Sequence, residues 1–253
     1  MRVVVTGASS GLGAALARHY ARRGATLALL ARRDRELRQL ADALRVPNFL
    51  YPVDVTDAAA VSEAGADFIA RAGVPDLVIA NAGISVGTLT QEASDLPVFQ
   101  RVLAVNVVGM VNTFHPFIEP MRAAGSGTLA GIASVAGIRG LPGSGAYSAS
   151  KAATIAYLES LRGELRGSGV KVVTVAPGYV ETPMTAINSY AMPFILPVDE
   201  AARRIARVID AGRSYAVVPW QMAIVAKLLR MLPNPVFDAL FSGAGRKPRA
   251  PQL

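Results

Sequence analysis

A glycine-rich loop near the start of the chain constrains the fold more than any other feature. The loop Thr6-Gly7-Ala8-Ser9-Ser10-Gly11-Leu12-Gly13 directly follows the apolar run 2–6 and leads into a helical pattern. Its three glycines permit a tight turn in which backbone N–H groups and a helix N-terminus can approach an anion. Because strand, loop and helix occur in the order of a dinucleotide-binding unit, we expect the loop to hold a pyrophosphate.

Short apolar runs rich in Val, Ile and Leu alternate with segments of helical spacing. The runs lie at 2–6, 26–31, 48–53, 76–80, 128–133, 170–176 and 215–218, and helical spacing is clear at 11–23, 34–45 and 57–71. Strands without polar alternation are typical of a parallel sheet that helices cover on both faces. The pattern predicts an α/β fold with a Rossmann-like, doubly wound parallel sheet of about seven strands, in a three-layer αβα sandwich.

Composition limits the kinds of site that the chain can build. It has 253 residues, no cysteine and two histidines, so we expect one main core and no disulfide, bound metal or cysteine nucleophile. No secretory signal precedes the first strand, and no uncharged apolar run reaches the roughly 20 residues of a membrane-spanning helix. These features predict a cytoplasmic protein.

The positive charge is concentrated at the two ends of the sequence. The formal net charge is +8, but the central part, residues 51–218, is slightly acidic. A nucleic-acid partner is therefore not expected, because nothing indicates a basic surface that runs across the molecule. Many of the arginines are also compatible with ordinary solvated faces.

Tyr147 and Lys151 form the clearest chemical pair in the sequence. They stand four residues apart in a segment of helical character, so both side chains share one face. A phenol with a pKa near 10 is a poor acid or base at pH 7, and a nearby ammonium stabilises phenolate. We expect Lys151 to lower the pKa of Tyr147, which would make Tyr147 a general acid and base.

The spacing TGxxxGxG resembles the glycine motif of the short-chain dehydrogenase/reductase family, in its compact single-domain branch. Further motifs occur in that family's order, namely Asp54-Val55, Asn81-Ala82-Gly83, Asn106, Ser134, Tyr147-x-x-x-Lys151 and Pro177-Gly178. The resemblance covers at least residues 2–183. It implies an oxidoreductase that interconverts a ketone and a secondary alcohol with a nicotinamide cofactor.

The resemblance also implies a role for each of four catalytic residues. Tyr147 exchanges a proton with the carbonyl oxygen, and Lys151 supports it and hydrogen-bonds the nicotinamide ribose. Ser134 orients the substrate carbonyl, and Asn106 supports a water-linked proton relay to the lysine. Each residue type alone is most often structural, but the ordered set behind a glycine loop favours catalysis. A redox sensor or scaffold that binds NADPH without turnover is the alternative.

Cofactor contacts are expected along the whole cleft. The residues are Gly7, Ser9, Ser10, Gly11, Leu12, Gly13, Arg32, Arg33, Asp54, Val55, Asn81, Ala82, Gly83, Tyr147, Lys151, Pro177, Gly178, Val180 and Thr182. The second strand ends in Ala31-Arg32-Arg33, without the acid that would accept a ribose 2′-OH, and an arginine there can pair with a 2′-phosphate. We therefore expect NADP(H) rather than NAD(H), although this glycine loop lacks the basic residue that some NADP-binding relatives carry.

An apolar loop, residues 183–197, lies where relatives carry a mobile substrate lid. We call it the lid, and we expect Met184 and Ile187 to contact the substrate together with Ser134 and Tyr147. Its apolar character favours a lipid-like, steroid-like or long-chain 3-oxo substrate. An apolar lid can also serve packing alone, which leaves a small carbonyl compound as the alternative.

We expect residues 1–218 to form the catalytic domain. Residues 219–253 follow it as a basic amphipathic extension. On a helical wheel Trp220, Ile224 and Leu228 belong to a broad apolar arc, and Ala226 and Lys227 lie outside it. The arc and its flanking cations, with Arg246-Lys247-Pro248-Arg249 beyond, suit peripheral membrane contact through 219–241. Packing on the chain's own core or on a second subunit is the alternative. Relatives form homodimers or homotetramers through the helices around 95–121 and 147–166.

Overall fold

Seven apolar runs form strands, and the segments between them form helices, in a computed structural model that describes residues 1–243 and 245–249. The strands are β1 (Arg2–Thr6), β2 (Thr26–Leu30), β3 (Asn48–Tyr51), β4 (Leu77–Ala80), β5 (Gly127–Ile132), β6 (Val170–Pro177) and β7 (Tyr215–Val218). The helices are α1 (Gly11–Ala21), α2 (Asp34–Ala43), α3 (Ala58–Ala72), α4 (Leu96–Leu103), α5 (Gly109–Ala123), α6 (Gly145–Glu164), α7 (Pro183–Ala186), α8 (Val198–Asp210), α9 (Trp220–Met231) and α10 (Asn234–Phe241).

The strands form one parallel sheet in the order β3-β2-β1-β4-β5-β6-β7. The order reverses at β1, which pairs with β2 on one side and with β4 on the other. In such sheets a crevice opens at the carboxyl ends of the strands beside the reversal, and ligands bind there. The predicted doubly wound α/β fold is confirmed.

Apolar side chains fill both faces of the sheet. Along β1, Val3 and Val5 belong to the core under α1, α2 and α8, while Val4 belongs to the core under α3, α5 and α6. Alternate residues of a strand point to opposite faces, so a strand that is buried on both sides must be apolar throughout. This explains why the strand segments of the sequence lack polar alternation.

A long apolar helix runs from α4 into α5 through a π-helical turn at Ala104–Val108. Within the described residues, the stretch Ala93–Ala123 is long and apolar enough to cross a membrane by length and composition alone. Core helices meet the same criterion, and Phe114, Phe117 and Met121 of this stretch pack in the core against the sheet.

The extension packs on the same chain through one face of α9. Met222 and Ala226 are buried, whereas Trp220, Ile224 and Leu228 are exposed. Ala226, which lies outside the apolar arc of the helical wheel, is therefore part of the face that packs on the protein. Its small side chain lets the helix lie close to the protein, and the large apolar residues point outwards.

Two of the three cations beyond α10, Lys247 and Arg249, are held by the protein itself, so they are not free to bind an anionic surface as the sequence had suggested. Arg249 forms an ion pair with Asp95 at 2.8 Å, and Lys247 is buried. Backbone bonding continues this contact, because the Gly87 N–H donates to the Pro248 carbonyl at 3.0 Å. Residues 245–249 therefore form a segment that folds back onto the body of the protein.

Candidate active site

The glycine loop forms the floor of the main cleft. Gly7 and Gly11 have φ values of +67° and +52°, in the left-handed region that favours glycine. A Cβ on Gly7 would lie 2.8 Å from the Ala82 Cα atom. No side chain fits between this loop and the turn after β4, so a pyrophosphate can approach the backbone N–H groups closely. The cleft therefore suits a dinucleotide.

Almost every residue predicted to contact the cofactor lines this cleft, whose volume is about 410 Å³. The lining includes Gly7, Ser9, Ser10, Gly11, Leu12, Arg32, Arg33, Asp54, Val55, Asn81, Ala82, Gly83, Tyr147, Lys151, Pro177, Gly178, Val180 and Thr182, together with Ser134 and Met184. Gly13 instead packs helix α1 against the Gly7 carbonyl and the Asn81 amide. Ile187 is exposed and lines neither this cleft nor the second cavity described below.

One end of the cleft is basic. The Arg33 guanidinium donates to the hydroxyls of Ser9 at 3.0 Å and Ser10 at 2.5 Å, so it spans the glycine loop. Arg32 lies beside it, 3.7 Å from the Asp54 carboxylate. Two guanidinium groups and two hydroxyls therefore converge where the ribose of an adenosine moiety would lie in a cleft of this kind.

Asp54 is tied to its surroundings more firmly than the sequence indicated. It accepts hydrogen bonds from the Thr56 N–H and hydroxyl, at 2.9 and 2.8 Å, and from Arg101 at 2.7 Å. Partial burial works to raise its pKa, but these donors outweigh it and hold the pKa below the ordinary value. Arg101 was not identified from the sequence, because its contact joins α4 to the end of β3 across the fold.

Asn81 connects the glycine loop to the centre of the sheet. Its side-chain amide donates to the Thr6 carbonyl at 3.0 Å, and its backbone N–H donates to the Thr6 hydroxyl at 3.1 Å. These bonds join the ends of β1 and β4 at the point where the strand order reverses. Asn81 therefore braces the crevice as well as lining it.

Ser134, Tyr147 and Lys151 converge at the other end of the cleft. Ser134 lies two residues after the end of β5; its oxygen accepts from the Ala136 N–H at 3.1 Å, and its hydroxyl lies beside the Tyr147 phenol. Tyr147 and Lys151 lie on one face of α6. The Lys151 Nζ atom is 5.8 Å from the centroid of the Tyr147 ring and donates to the Ile132 carbonyl at 2.8 Å.

Burial shifts both titratable groups towards their neutral forms. It raises the pKa of the Tyr147 phenol above its ordinary value, and the Ser134 hydroxyl beside it offsets only part of the rise. It also lowers the pKa of Lys151 to about 8. Desolvation of the phenol dominates the pKa of Tyr147 here, and the lowering by Lys151 that the sequence predicts stays a prediction.

Asn106 lies behind the cleft, fully buried in the π-helical turn. Its Oδ1 accepts from the Ile84 N–H at 2.8 Å, and its Nδ2 donates to the Ile84 carbonyl at 3.0 Å and the Ser150 hydroxyl at 2.9 Å. A Cβ on Gly83 would lie 3.2 Å from Asn106 Oδ1 and 3.7 Å from Lys151 Nζ. The amide therefore holds the turn open beside the lysine, and turns of this type are frequent at functional sites.

A second cavity, of about 390 Å³, adjoins the reacting end of the cleft. We call it the apolar cavity. Its walls include Val135, Tyr179, Tyr190 of the lid, Met222 of α9 and Lys247. The sequence analysis missed it because its walls come from four separate parts of the chain, and α9 carries no motif that marks a binding site.

Comparisons with known proteins identify the family of the chain. A family model described as short chain dehydrogenase matches residues 1–191. An uncharacterized oxidoreductase of Myxococcus xanthus is 40% identical over 239 residues, which are 93% of this chain and 94% of the relative. Sulfoacetaldehyde reductase 2 of Chromohalobacter salexigens is 34% identical over 190 residues, which are 74% of this chain and 75% of the relative.

Among solved structures, the alcohol dehydrogenase from the archaeon Thermococcus sibiricus complexed with 5-hydroxy-NADP has a TM-score of 0.76 and 27% identity. The match covers 86% of this chain and 95% of that chain. Family, relatives and fold thus agree with the cleft, and the chain belongs to the short-chain dehydrogenase/reductase family of oxidoreductases that act on alcohol and carbonyl groups.

Proposed function

We propose that the protein is an NADP(H)-dependent reductase that converts an apolar ketone into a secondary alcohol. One observation carries the proposal: Ser134, Tyr147 and Lys151 all line the dinucleotide-sized cleft, and Ser134 is followed by Val135 in the wall of the apolar cavity. A carbonyl compound bound in that cavity would have its reacting group beside the Tyr147 hydroxyl. It would also lie at the end of the cleft that is opposite Arg32 and Arg33.

The protonation states favour reduction over oxidation. A bound nicotinamide supplies the hydride that reduces the carbonyl carbon. Ser134 donates to the carbonyl oxygen and orients it. Tyr147, protonated at neutral pH because burial raises its pKa, gives its phenolic proton to the same oxygen. Lys151, with a pKa of about 8, still carries positive charge at pH 7 and stabilises the phenolate that remains.

The basic end of the cleft supports NADP(H) as the cofactor. Arg33 and the hydroxyls of Ser9 and Ser10 offer a set of donors that suits a 2′-phosphate, and Arg32 adds a second cation. The two serine hydroxyls compensate for the missing basic residue in the glycine loop. The 5-hydroxy-NADP in the Thermococcus sibiricus structure is consistent with this choice.

The apolar cavity supports a substrate with a sizeable apolar body. Its volume lies in the usual range for small-molecule sites. The sulfoacetaldehyde reductase relative acts on a small polar aldehyde, so small carbonyl compounds remain the second candidate class. Ile187, which we predicted as a substrate contact, lines neither cavity, and the proposal does not use it.

Turnover of NADPH with a panel of ketones tests the proposal. The wild-type protein is expected to consume NADPH with apolar ketones, and Tyr147→Phe is expected to lower kcat by about 10²- to 10⁴-fold while NADPH still binds. Tyr157→Phe, on the same helix but away from the cleft, is the matched control. If NADPH binds and no carbonyl compound is reduced, the sensor or scaffold alternative is correct. Near wild-type activity of Tyr147→Phe would refute the mechanism.

A further inference from the structure

The apolar cavity lies beside the reacting centre, because neighbouring residues of the chain line the two. Val135, in its wall, directly follows Ser134, which lines the cofactor cleft. Tyr190, in the opposite wall, lies close enough to Tyr147 for the charge of one phenol to act on the other. A molecule whose carbonyl group meets Ser134 and Tyr147 therefore places the rest of its body in this cavity.

One cation enters the apolar cavity without a carboxylate partner in the part of the chain that the structure describes. Lys247 is only 7% exposed, and its Nζ atom donates to the Met184 carbonyl of the lid at 2.9 Å. An ammonium has three N–H donors, and this bond uses one of them. Taking a cation out of water is costly unless it is paired, so packing alone does not account for this residue.

The neighbours of Lys247 hold it in place. On one side, Arg249 pairs with Asp95. On the other side, the stem of Arg246 packs against Gly143, so closely that a Cβ on Gly143 would lie 3.0 Å from the Arg246 side chain. These contacts fix residues 245–249 across the mouth of the cavity. The position of the ammonium is therefore a built feature of the fold.

The other cation of the cavity wall, Arg139, is bound to the end of α9 and is less buried than Lys247. Arg139 donates to the Leu229 and Leu232 carbonyls and to the Asn234 side chain, and it stacks on the Phe237 ring at 3.9 Å. Its role is to hold the end of α9. Lys247 is thus the buried cation of this cavity, and two of its three N–H donors remain beyond the bond to Met184.

Burial leaves Lys247 charged at neutral pH. It lowers the pKa of the ammonium to about 8, so most molecules carry the proton at pH 7. An anion bound beside the ammonium would stabilise the charged form further. The side chain is therefore set up to bind a negative group inside an apolar enclosure.

We infer that the substrate is an oxo acid, a carbonyl compound with an apolar body and a single carboxylate, and that Lys247 binds the carboxylate. The inference rests on the proposed function, since it names the substrate class of the same site. One ammonium balances one negative charge. A phosphomonoester or a nucleotide-linked carrier would bring more charge than the described cavity can neutralise.

Paired substrates test the inference. Oxo acids of increasing chain length are each compared with the corresponding primary amide, which has similar shape and no charge. The wild-type protein is expected to have a lower KM for the acids. Lys247→Met is expected to raise that KM about ten- to a hundredfold and to leave the KM for the amides unchanged. Lys247→Arg, which keeps the charge, should retain part of the preference, and Lys227→Met, on the exposed side of α9, should behave like the wild type.

Two outcomes overturn the inference. One is equal KM values of the wild-type protein for acid and amide. The other is a Lys247→Met variant that raises both KM values alike, in which case Lys247 serves only to hold the lid through Met184. Melting curves show whether Lys247→Met is folded. If it is not folded, Lys247→Arg becomes the decisive variant. Loss of the acid preference in Lys247→Arg would then count against the inference.

Direct binding separates this inference from the proposed function. If no carbonyl compound is reduced, the proposed function fails, but carboxylic acids without a ketone can still be titrated into the protein by calorimetry. The anion site would be supported if the wild type binds the acids but not their amides, and if Lys247→Met no longer binds the acids. Absence of binding, or equal binding by the two proteins, would refute it.

Discussion

Arg33 is the residue whose contacts bear most directly on the choice of cofactor. It begins the turn into α2 and bonds to both serine hydroxyls of the glycine loop. A 2′-phosphate between these groups would receive charge-assisted hydrogen bonds, whereas the 2′-hydroxyl of NADH gains much less from them. The contribution of Arg33 should therefore appear with one cofactor and not with the other.

Arg33→Ala is expected to raise the KM for NADPH about ten- to a hundredfold and to change the KM for NADH little, because only NADPH carries the 2′-phosphate. Steady-state kinetics with each cofactor provides the measurement. Arg35→Ala, on the exposed side of α2 and outside the cleft, is the control and should leave both values unchanged. A wild-type preference for NADH would refute the assignment of NADP(H).

Sequence spacing identified the reacting residues but not their ionisation. Tyr147 and Lys151 could be paired because a separation of four residues places two side chains on one helix face. The raised pKa of Tyr147 comes from burial in a cleft whose walls include distant segments, such as the end of β5 and the lid, and no local pattern contains them. Arg101 and Lys247 escaped prediction for the same reason, since each acts through contacts with residues far away in sequence.

At the scale of helices and strands, periodicity predicted the buried elements and failed on the extension. A strand such as β6 is apolar throughout because both faces are covered, so its pattern has one interpretation. Helix α9 has apolar residues around most of its circumference, and a wheel cannot tell which of them face the protein. The structure shows that Ala226 and Met222 are the buried residues. Met222 packs so closely on Gly178 that a Cβ there would lie 2.7 Å from the Met222 Cγ atom. The outer face, with Trp220 and Ile224, stays available to a membrane or a partner.

The ion pair between Arg249 and Asp95 should stabilise the segment 245–249 in a pH-dependent way. Asp95 is 3% exposed and accepts from Arg249 and from the Leu89 N–H, which hold its pKa below the ordinary value. The stabilisation is therefore present above the pKa of the unfolded carboxyl, near 4, and is lost as the pH falls through the lower folded value. Arg249→Met is expected to melt at a lower temperature than the wild type at pH 7, and this difference should shrink below pH 4.

Thermal melting across this pH range checks the prediction. Arg230→Met, which removes an exposed arginine of α9, serves as the control and should melt like the wild type. The double variant Asp95→Asn with Arg249→Met should lose less stability than the two single changes added together, because the groups are coupled. A difference in melting temperature that is the same at pH 7 and below pH 4 would show that only packing was lost.

At the scale of the whole molecule, several large apolar side chains are exposed within the described residues, and two groups of them lie on helices. One lies on the outer face of α9 and includes Ile224 and Leu228. The other lies at the start of α5, where Val108 and Val111 are exposed on the long helix of the domain. Large exposed apolar groups are typical of contact surfaces. The helices around 95–121 are where the family resemblance places subunit contacts, so we expect the α5 surface to form the oligomer interface.

Light scattering after size-exclusion chromatography measures the mass of the assembly directly. The wild type is expected to be a homodimer or homotetramer, and Val108→Asp with Val111→Asp is expected to reduce its mass, because two carboxylates in an apolar interface would have to lose their hydration without partners. Ile224→Asp with Leu228→Asp makes the same chemical change on α9 and should leave the mass unchanged. Far-UV circular dichroism shows that each variant is folded. If the α9 variant alone reduces the mass, the extension carries the interface, and the assignment to α5 is wrong.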